Sequence, residues 1–466
     1  MKVTPSTSRR QFIKNAATAV TVFNIVPRHV LGGPGFVPPS EKINVALVGV
    51  GGKGTQNLQR ILDEPDAQII ALADPAAQFS LENFYYKGDG GRRPARTLIE
   101  EHYGAKTPNF KCMEYEDFRL MLEKEEAIDA IVCSTPDHLH AYVSIRAMRA
   151  GKHVYCEKPL THNLWEAREV VRVARETGLA TQMGNQGHST AGIRETVEYL
   201  QDGVIGAVRE IEVWNPTKRW NPSLTGRPAA AAMPEGLNWD LWLGPREARP
   251  FNPAYFPVAW RDFWAFGGTG IADFGCHDFD AAMWAFDLQT PVRVEASGAG
   301  PTDDEIAPHG STIFYDFPAH GKHPAIRLTF RDGGLRPPFH QVLGKFPLPK
   351  RGILFLGEKG AIECDGSGGS PRLFPESLRA SYQKPAPSIP RSKGHFRDWL
   401  DACKGGPPAG SHFAYGARLT ELSLLGVLAM RTQRAIEWDP ANLRARGLPE
   451  ADRIISGSYR KGWEVA

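Results

Sequence analysis

The stretch Ile43-Asn44-Val45-Ala46-Leu47-Val48 runs directly into Gly49-Val50-Gly51-Gly52-Lys53-Gly54, and this junction decides the fold. A short run rich in β-branched residues marks a buried parallel strand. The glycines after it keep the spacing G-x-G-x-x-G, which marks a strand-to-helix turn that receives a dinucleotide. Gly49 permits the tight turn, Gly51 with Gly52 beside it lets the backbone approach a pyrophosphate, and Gly54 lets the helix lie close on the strand. The helix is expected over Thr55 to Leu62, with the phosphates at its N-terminus. A second apolar strand, Gln68 to Ala73, ends in Asp74, where an acid bonds the ribose hydroxyls. A carboxylate there repels a 2′-phosphate, so the expected cofactor is NAD rather than NADP.

Working outward, strand and helix patterns alternate from Ile43 to about Leu160, as a doubly wound parallel sheet requires. Ala127 to Cys133 reads as a later strand whose end, Ser134-Thr135-Pro136-Asp137-His138, faces the nucleotide. A helix from Ala141 to Ala150 and a strand from Gly151 to Cys156 follow, running into Glu157-Lys158-Pro159. From about Val204 the pattern becomes strand-rich: Glu210 to Trp214, Arg293 to Ala296, Ile326 to Phe330 and Gly352 to Leu356, between loops rich in proline and glycine. Helical spacing returns over His395 to Cys403 and Ala417 to Gln433. The expected fold class is α/β, with an N-terminal Rossmann doubly wound parallel sheet over residues 41–160. A C-terminal α+β domain with an open, mostly antiparallel sheet and terminal helices is expected over 161–466.

Ahead of the fold, Ser8-Arg9-Arg10-Gln11-Phe12-Ile13-Lys14 precedes an apolar run from Ala16 to Val26 that Pro27, Arg28 and His29 close. It reads as a twin-arginine export signal over residues 1–33, which implies the twin-arginine machinery as a partner and a periplasmic location. Such signals suit proteins exported already folded. The 466 residues, 42% hydrophobic, suffice for two domains with sizeable cores, and a net charge of +3 gives no electrostatic case for nucleic acid or an anionic membrane. Six scattered cysteines form no C-x-x-C pair, and His138 and His140 stand two apart without a nearby cysteine in sequence, so no metal site is expected.

Gly49 to Gly54, Asp74, Thr135-Pro136 with His140, Glu157-Lys158-Pro159, and Gly267-Gly268-Thr269 leading to Asp273 and His277 together resemble the Gfo/Idh/MocA oxidoreductases. The resemblance implies that Thr135, Pro136, His140, Glu157 and Lys158 border the cofactor, with Lys158 at the nicotinamide. It places Asp273 and His277 across the substrate, with Asp280 completing the H-x-x-D that follows. Thr269 departs from the pattern, because many members carry a third glycine there.

The chemistry asks for these residue types. Moving a hydride from a carbinol carbon requires the hydroxyl proton to leave, and neutral His277 is the candidate base. Asp273, four residues earlier on one helical face, is expected to fix its tautomer, and Lys158 to stabilise the developing alkoxide. Asn185 is expected near the nicotinamide ribose, and Gln186, His188, Arg261 and Trp264 at the substrate, where flat aromatic faces and bidentate polar groups suit a sugar. Partners are therefore a sugar, glycoside or cyclitol and other copies of the chain in a dimer or tetramer. Export implies that NAD is retained and recycled on the protein, because the periplasm is not expected to hold a free pool. Recycling could use a second substrate, or a redox-neutral cycle through a keto-sugar that gives hydrolysis or epimerisation. A sugar-binding or scaffold protein holding a structural NAD is the third reading.

Overall fold

The computed structural model describes residue 38 and residues 41–465, so the export signal expected over residues 1–33 lies outside the described residues. Up to Met183 the chain alternates β1 (Ile43–Val48), α1 (Lys53–Leu62), β2 (Ala67–Ala73), the short pair β3 (Phe79–Ser80) and β4 (Asp89–Gly90), and α2 (Arg92–Gly104). It continues through β5 (Met113–Tyr115), α3 (Phe118–Lys124), β6 (Ala130–Cys133), α4 (Asp137–Arg149), β7 (His153–Cys156), α5 (Leu164–Thr177) and β8 (Thr181–Met183). Six strands form one parallel sheet in the order β5-β2-β1-β6-β7-β8. Crossover helices cover both faces of such a sheet, which is why β6 is buried at every position and reads Ala-Ile-Val-Cys without alternation. α1 buries Leu58 and Ile61, three apart on one face. α5 is fixed at both ends, by a capping box between Asn163 and Glu166 and by Gly178 in the left-handed conformation. The strand order reverses between β1 and β6, and the crevice that takes a ligand opens beyond their C-terminal ends.

The parallel sheet continues past Leu160, because β8 pairs with β7 along Val154–Thr181 to Cys156–Met183. Beyond it lie α6 (Ala191–Asp202), β9 (Val208–Trp214), α7 (Thr269–Asp278), α8 (Asp280–Phe286), β10 (Arg293–Ala299), β11 (Gly310–Phe317), β12 (Ile326–Arg331), β13 (Gly352–Gly357), β14 (Gly360–Cys364) and β15 (Arg372–Phe374). The last long helices are α9 (His395–Cys403) and α10 (Phe413–Thr432). Seven strands order as β10-β11-β12-β9-β13-β14-β15, antiparallel except for the β12–β9 pair. α10 is apolar on all sides because it is a core helix, packed on α7, α5 and β10.

The end of the chain also serves the first sheet. Phe396, Trp399 and Leu400 of α9 join Val45, Leu47, Ile69 and Tyr155 in one buried cluster, with Tyr155 stacked on Phe396 at 4.5 Å between ring centroids. The cysteines are unbridged, and all but Cys403 are buried. Trp399→Ala should therefore destabilise the protein by about 3–5 kcal/mol, the usual cost of emptying a buried aromatic site. Denaturant unfolding checks this, and an unchanged midpoint would show that α9 merely lies against the sheet.

Candidate active site

Val48 hands the chain to Gly49, whose φ of +83° is left-handed and whose added Cβ would lie 2.8 Å from the Ser134 carbonyl carbon. Conformation and the neighbouring strand both exclude a side chain there. A Cβ on Gly54 would sit 2.2 Å from the Gly49 carbonyl oxygen, so only glycine lets α1 start tight against the turn. Gly52, the N-cap of α1, has no side chain to occupy the first helical N–H groups, and Gly52 and Lys53 line the crevice. That is the arrangement that binds phosphate. Asp74 Oδ2 accepts from the Val50 N–H and Oδ1 from the Ala76 N–H, each at 2.9 Å. A carboxylate oxygen with one such bond has a further lone pair, and Asp74 lines the crevice with Gly49, Gly51 and Thr135. Burial raises the Asp74 pKa above its ordinary value. The uncapped helix, the cradle that a Cβ would fill and the anchored acid fit a dinucleotide.

Two rings close over this turn. A Cβ on Gly51 would lie 2.3 Å from Phe79 Cζ, and one on Gly52 2.8 Å from Tyr86 Cδ2. On the opposite wall His140 Nδ1 lies 2.6 Å from the Pro159 carbonyl and Nε2 2.8 Å from the Thr135 carbonyl. His140 thus ties the Thr135-Pro136 turn to the Lys158-Pro159 turn. Cys133 and Cys156 lie close to it, and each imidazole nitrogen faces a main-chain carbonyl, to one of which a neutral ring donates. His138 has Nε2 at 2.9 Å from the Trp242 carbonyl, and its buried Nδ1 has no hydrogen-bond partner among the described residues.

Lys158 enters from the end of β7. Its Nζ donates to Asp273 Oδ1 at 2.5 Å and to the Asp273 main-chain oxygen at 2.7 Å. Arg261 Nε lies 3.2 Å from the same Oδ1, with the guanidinium 4.0 Å above the Trp260 ring. Burial pushes the Asp273 carboxyl up, but Arg261 and then Lys158 override it and hold the pKa well below the carboxylate range. Burial pulls Lys158 down, and Asp273 reverses this, leaving its pKa above the usual value. Near neutral pH the pair is fully ionised.

His277 follows one turn later on α7. Burial first, then Lys158 and Arg351, hold its pKa well below the ordinary value, so it is a neutral imidazole. Its Nδ1 has no hydrogen-bond partner among the described residues. The expected Asp273 to His277 hydrogen bond is replaced by the ion pair, because two cations are stronger partners for a carboxylate than a neutral ring. α7 begins at Thr269, whose φ of +64° is the left-handed conformation that a glycine takes without cost and a β-branched residue rarely adopts.

Residues 43–185 match an oxidoreductase family with an NAD-binding Rossmann fold, and residues 191–318 match the C-terminal alpha/beta domain of the same family. The chain belongs to the Gfo/Idh/MocA family. A 2,7-anhydro-N-acetylneuraminate hydratase from Mediterraneibacter gnavus is 29% identical over 167 residues, 36% of this chain and 37% of that one. A 1,5-anhydro-D-fructose reductase from Ensifer adhaerens is 40% identical over 79 residues, 17% of this chain and 24% of that one. The matched segments thus span well under two thirds of either relative. The fold likeness reaches further: the WlbA dehydrogenase from Bordetella pertussis, solved with NADH and UDP-GlcNAcA, superposes with a TM-score of 0.59 at 17% identity. That superposition covers 86% of this chain and 98% of the other.

Within this Gfo/Idh/MocA chain, several expected site residues lie elsewhere. Asn185 Nδ2 and His188 Nδ1 both donate to Asp280, at 2.9 and 3.0 Å, and Tyr415 donates its hydroxyl to Asp280 at 2.6 Å. Ser411, just ahead of α10, donates to Asn185 Oδ1 at 2.5 Å, so the amide links this turn to α8, and Asn185 does not line the crevice. Gln186 Nε2 donates to the Tyr155 hydroxyl and to Glu157 Oε1, supporting Glu157 from behind. Trp264 is 3% exposed, donates to the Asp303 carbonyl and faces a different cavity. The aromatic wall of the crevice is made instead by Phe79, Tyr86, Trp242, Phe256 and Trp260. Asp137 is a further crevice residue, 2% exposed, with Oδ1 unpartnered among the described residues and its pKa pushed up to about 7 by burial. Its place after Thr135-Pro136 at a strand end was the available signal.

The ion pair fixes a pH signature. Asp273 has a lowered folded pKa, so its contribution is complete above the ordinary 3.8 and is lost as pH falls through the folded value. Lys158 has a raised one, so its contribution is complete below 10.5 and is lost as pH rises through the folded value. Stability from the pair should be flat between about pH 4 and pH 10 and decline outside. Urea midpoints at pH 7 and pH 3 should differ less in Asp273→Asn than in the wild type, and equal differences would show that the carboxylate is not ionised by its partners.

Proposed function

We propose that this protein oxidises a secondary carbinol of a sugar, glycoside or cyclitol, with NAD held tightly and regenerated on the protein. The observation that carries the reading is the Lys158–Asp273 pair: Lys158 and Arg261 line the crevice bounded by the glycine turn and Asp74, Asp273 holds both cations from behind, and neutral His277 follows one turn later on α7. NAD, when bound, accepts or returns the hydride. The protein handles the proton and the charge. Lys158 holds a fixed positive charge for the reacting oxygen, and Asp273 keeps that lysine protonated and aimed. His277, held neutral, is the base that takes the hydroxyl proton as the hydride leaves the carbon.

Phe79 and Tyr86, packed directly on Gly51 and Gly52, are the side chains that would cover a dinucleotide held at this turn. Retention follows from export through the twin-arginine motif Ser8 to Lys14 to a periplasm without a free NAD pool. A redox-neutral cycle meets the same need: oxidation at a ring carbon acidifies the neighbouring C–H, which permits elimination and then addition of water before the hydride returns. The hydratase among the relatives favours this second use of the site. Homo-oligomer formation, as dimer or tetramer, belongs to the same reading.

The test is to add sugars and glycosides to purified protein without external NAD and follow absorbance in the reduced-nicotinamide band. Substrate-dependent, reversible absorbance is expected, and product analysis then separates net oxidation from hydrolysis or epimerisation. Lys158→Met and His277→Asn should each keep co-purified NAD yet lose on the order of a hundredfold in turnover. A variant that reduces its NAD at the normal rate would remove that residue from the chemistry, and silence of the wild type across the panel would leave a sugar-binding scaffold.

A further inference from the structure

Behind the Lys158-Pro159 turn lies a second cavity of about 300 Å³, and Asp137 lines both it and the crevice. Its wall carries Arg227, Arg246, Arg249, Arg431 and Arg453. Arg246 and Arg249 are only 6% and 8% exposed, and the Nε–H of each has no partner among the described residues. Asp137, Glu247, Asp304 and Glu305 share the wall: Arg246 reaches Glu166 at 3.3 Å, Arg227 and Arg249 both bind Glu305, and Arg227 also lies 3.9 Å from Glu247. Arg431 and Arg453 make no ion pair among the described residues, and Arg431 lies over the Trp264 ring at 5.7 Å. Burial and then Arg453 pull the Arg431 pKa down to about 10, with Asp304 acting the other way. His162, on the same wall, has Nε2 unpartnered and is kept neutral by burial and by Arg246.

A guanidinium taken out of water needs an anion or a full set of acceptors, and its fork of N–H donors matches the oxygens of phosphate or carboxylate. Residues 1–40 contain no aspartate or glutamate, so that stretch has no carboxylate side chain to offer. We propose that this cavity is a binding site for a small oxyanion, distinct from the hydride-transfer crevice, with Arg246, Arg249 and Arg431 as its donors.

Calorimetric titration of the NAD-loaded protein with inorganic phosphate, and separately with citrate, tests this at constant ionic strength set by chloride. Phosphate binding alone identifies a phosphate site, citrate binding alone a polycarboxylate site, and either supports the proposal. Arg431→Met, which breaks no ion pair, should weaken the bound anion at least tenfold, Arg431→Lys should weaken it less, and both should retain internal NAD reduction. Lys158→Met, a change in the crevice, should leave anion binding intact. Lack of saturable binding of either anion, equal binding by Arg431→Met, or loss of binding in Lys158→Met with Arg431→Met unaffected would overturn the assignment.

Discussion

The ammonium of Lys158 and the carboxylate of Asp273, 2.5 Å apart, are the contact on which the working part of this molecule depends. Lys158 follows a strand of the parallel sheet, and Asp273 sits on α7, which packs on α10. Both side chains are largely buried, at 12% and 14% exposure, so each charge is tolerable only because the other is there. Removing one partner of such a pair costs about 3–5 kcal/mol, mainly through the orphaned charge. Arg261 adds a second cation to the same oxygen, and His140 holds the Lys158-Pro159 turn from below. The result is a site with two cations and one anion beside a neutral imidazole, an electrostatic balance that favours a developing negative oxygen.

Much of this was legible in the sequence because it is encoded locally. The glycine turn depends on conformations and close approaches that a few adjacent residues dictate, and Asp74 follows its strand at a fixed interval. The family pattern carried Lys158, Asp273 and His277 to one neighbourhood. What the sequence withheld is the choice among partners brought together by packing. Asp273 chooses between His277, four residues away, and Lys158, 115 residues away, and only the folded chain shows that the distant partner wins. Asn185 and His188 carry polar groups that suit a ligand, yet Asp280, more than ninety residues on, takes both. Trp264 has a ring suited to sugar stacking, but the loop turns it toward another cavity and brings Trp260 and Phe256 to the crevice instead. Tyr86 and Phe79 carry no sequence signal, since their role arises from the position of a short hairpin over the turn.

Thr269 shows the two levels meeting. A missing glycine in an otherwise matching motif reads as a possible change of turn, whereas the backbone has kept the left-handed φ and imposed it on threonine. Gly270 beside it explains part of the crowding, because a Cβ there would lie 2.4 Å from Asp332 Oδ2. The helix that presents Asp273 and His277 therefore starts from a tightly constrained corner.

The docking of Phe396, Trp399 and Leu400 onto the first sheet has a consequence for the order of events in synthesis. A nucleotide-binding sheet that is nearly complete by Met183 cannot close its core until the ribosome has released residue 403 and the linker behind it. Newly made chains would carry an open hydrophobic face for most of their translation, and the nucleotide crevice would mature only when the polypeptide is almost finished. Assembly of the cofactor site is thereby placed after elongation, and a chain cut short before α9 would lack the lid of its own nucleotide-binding core.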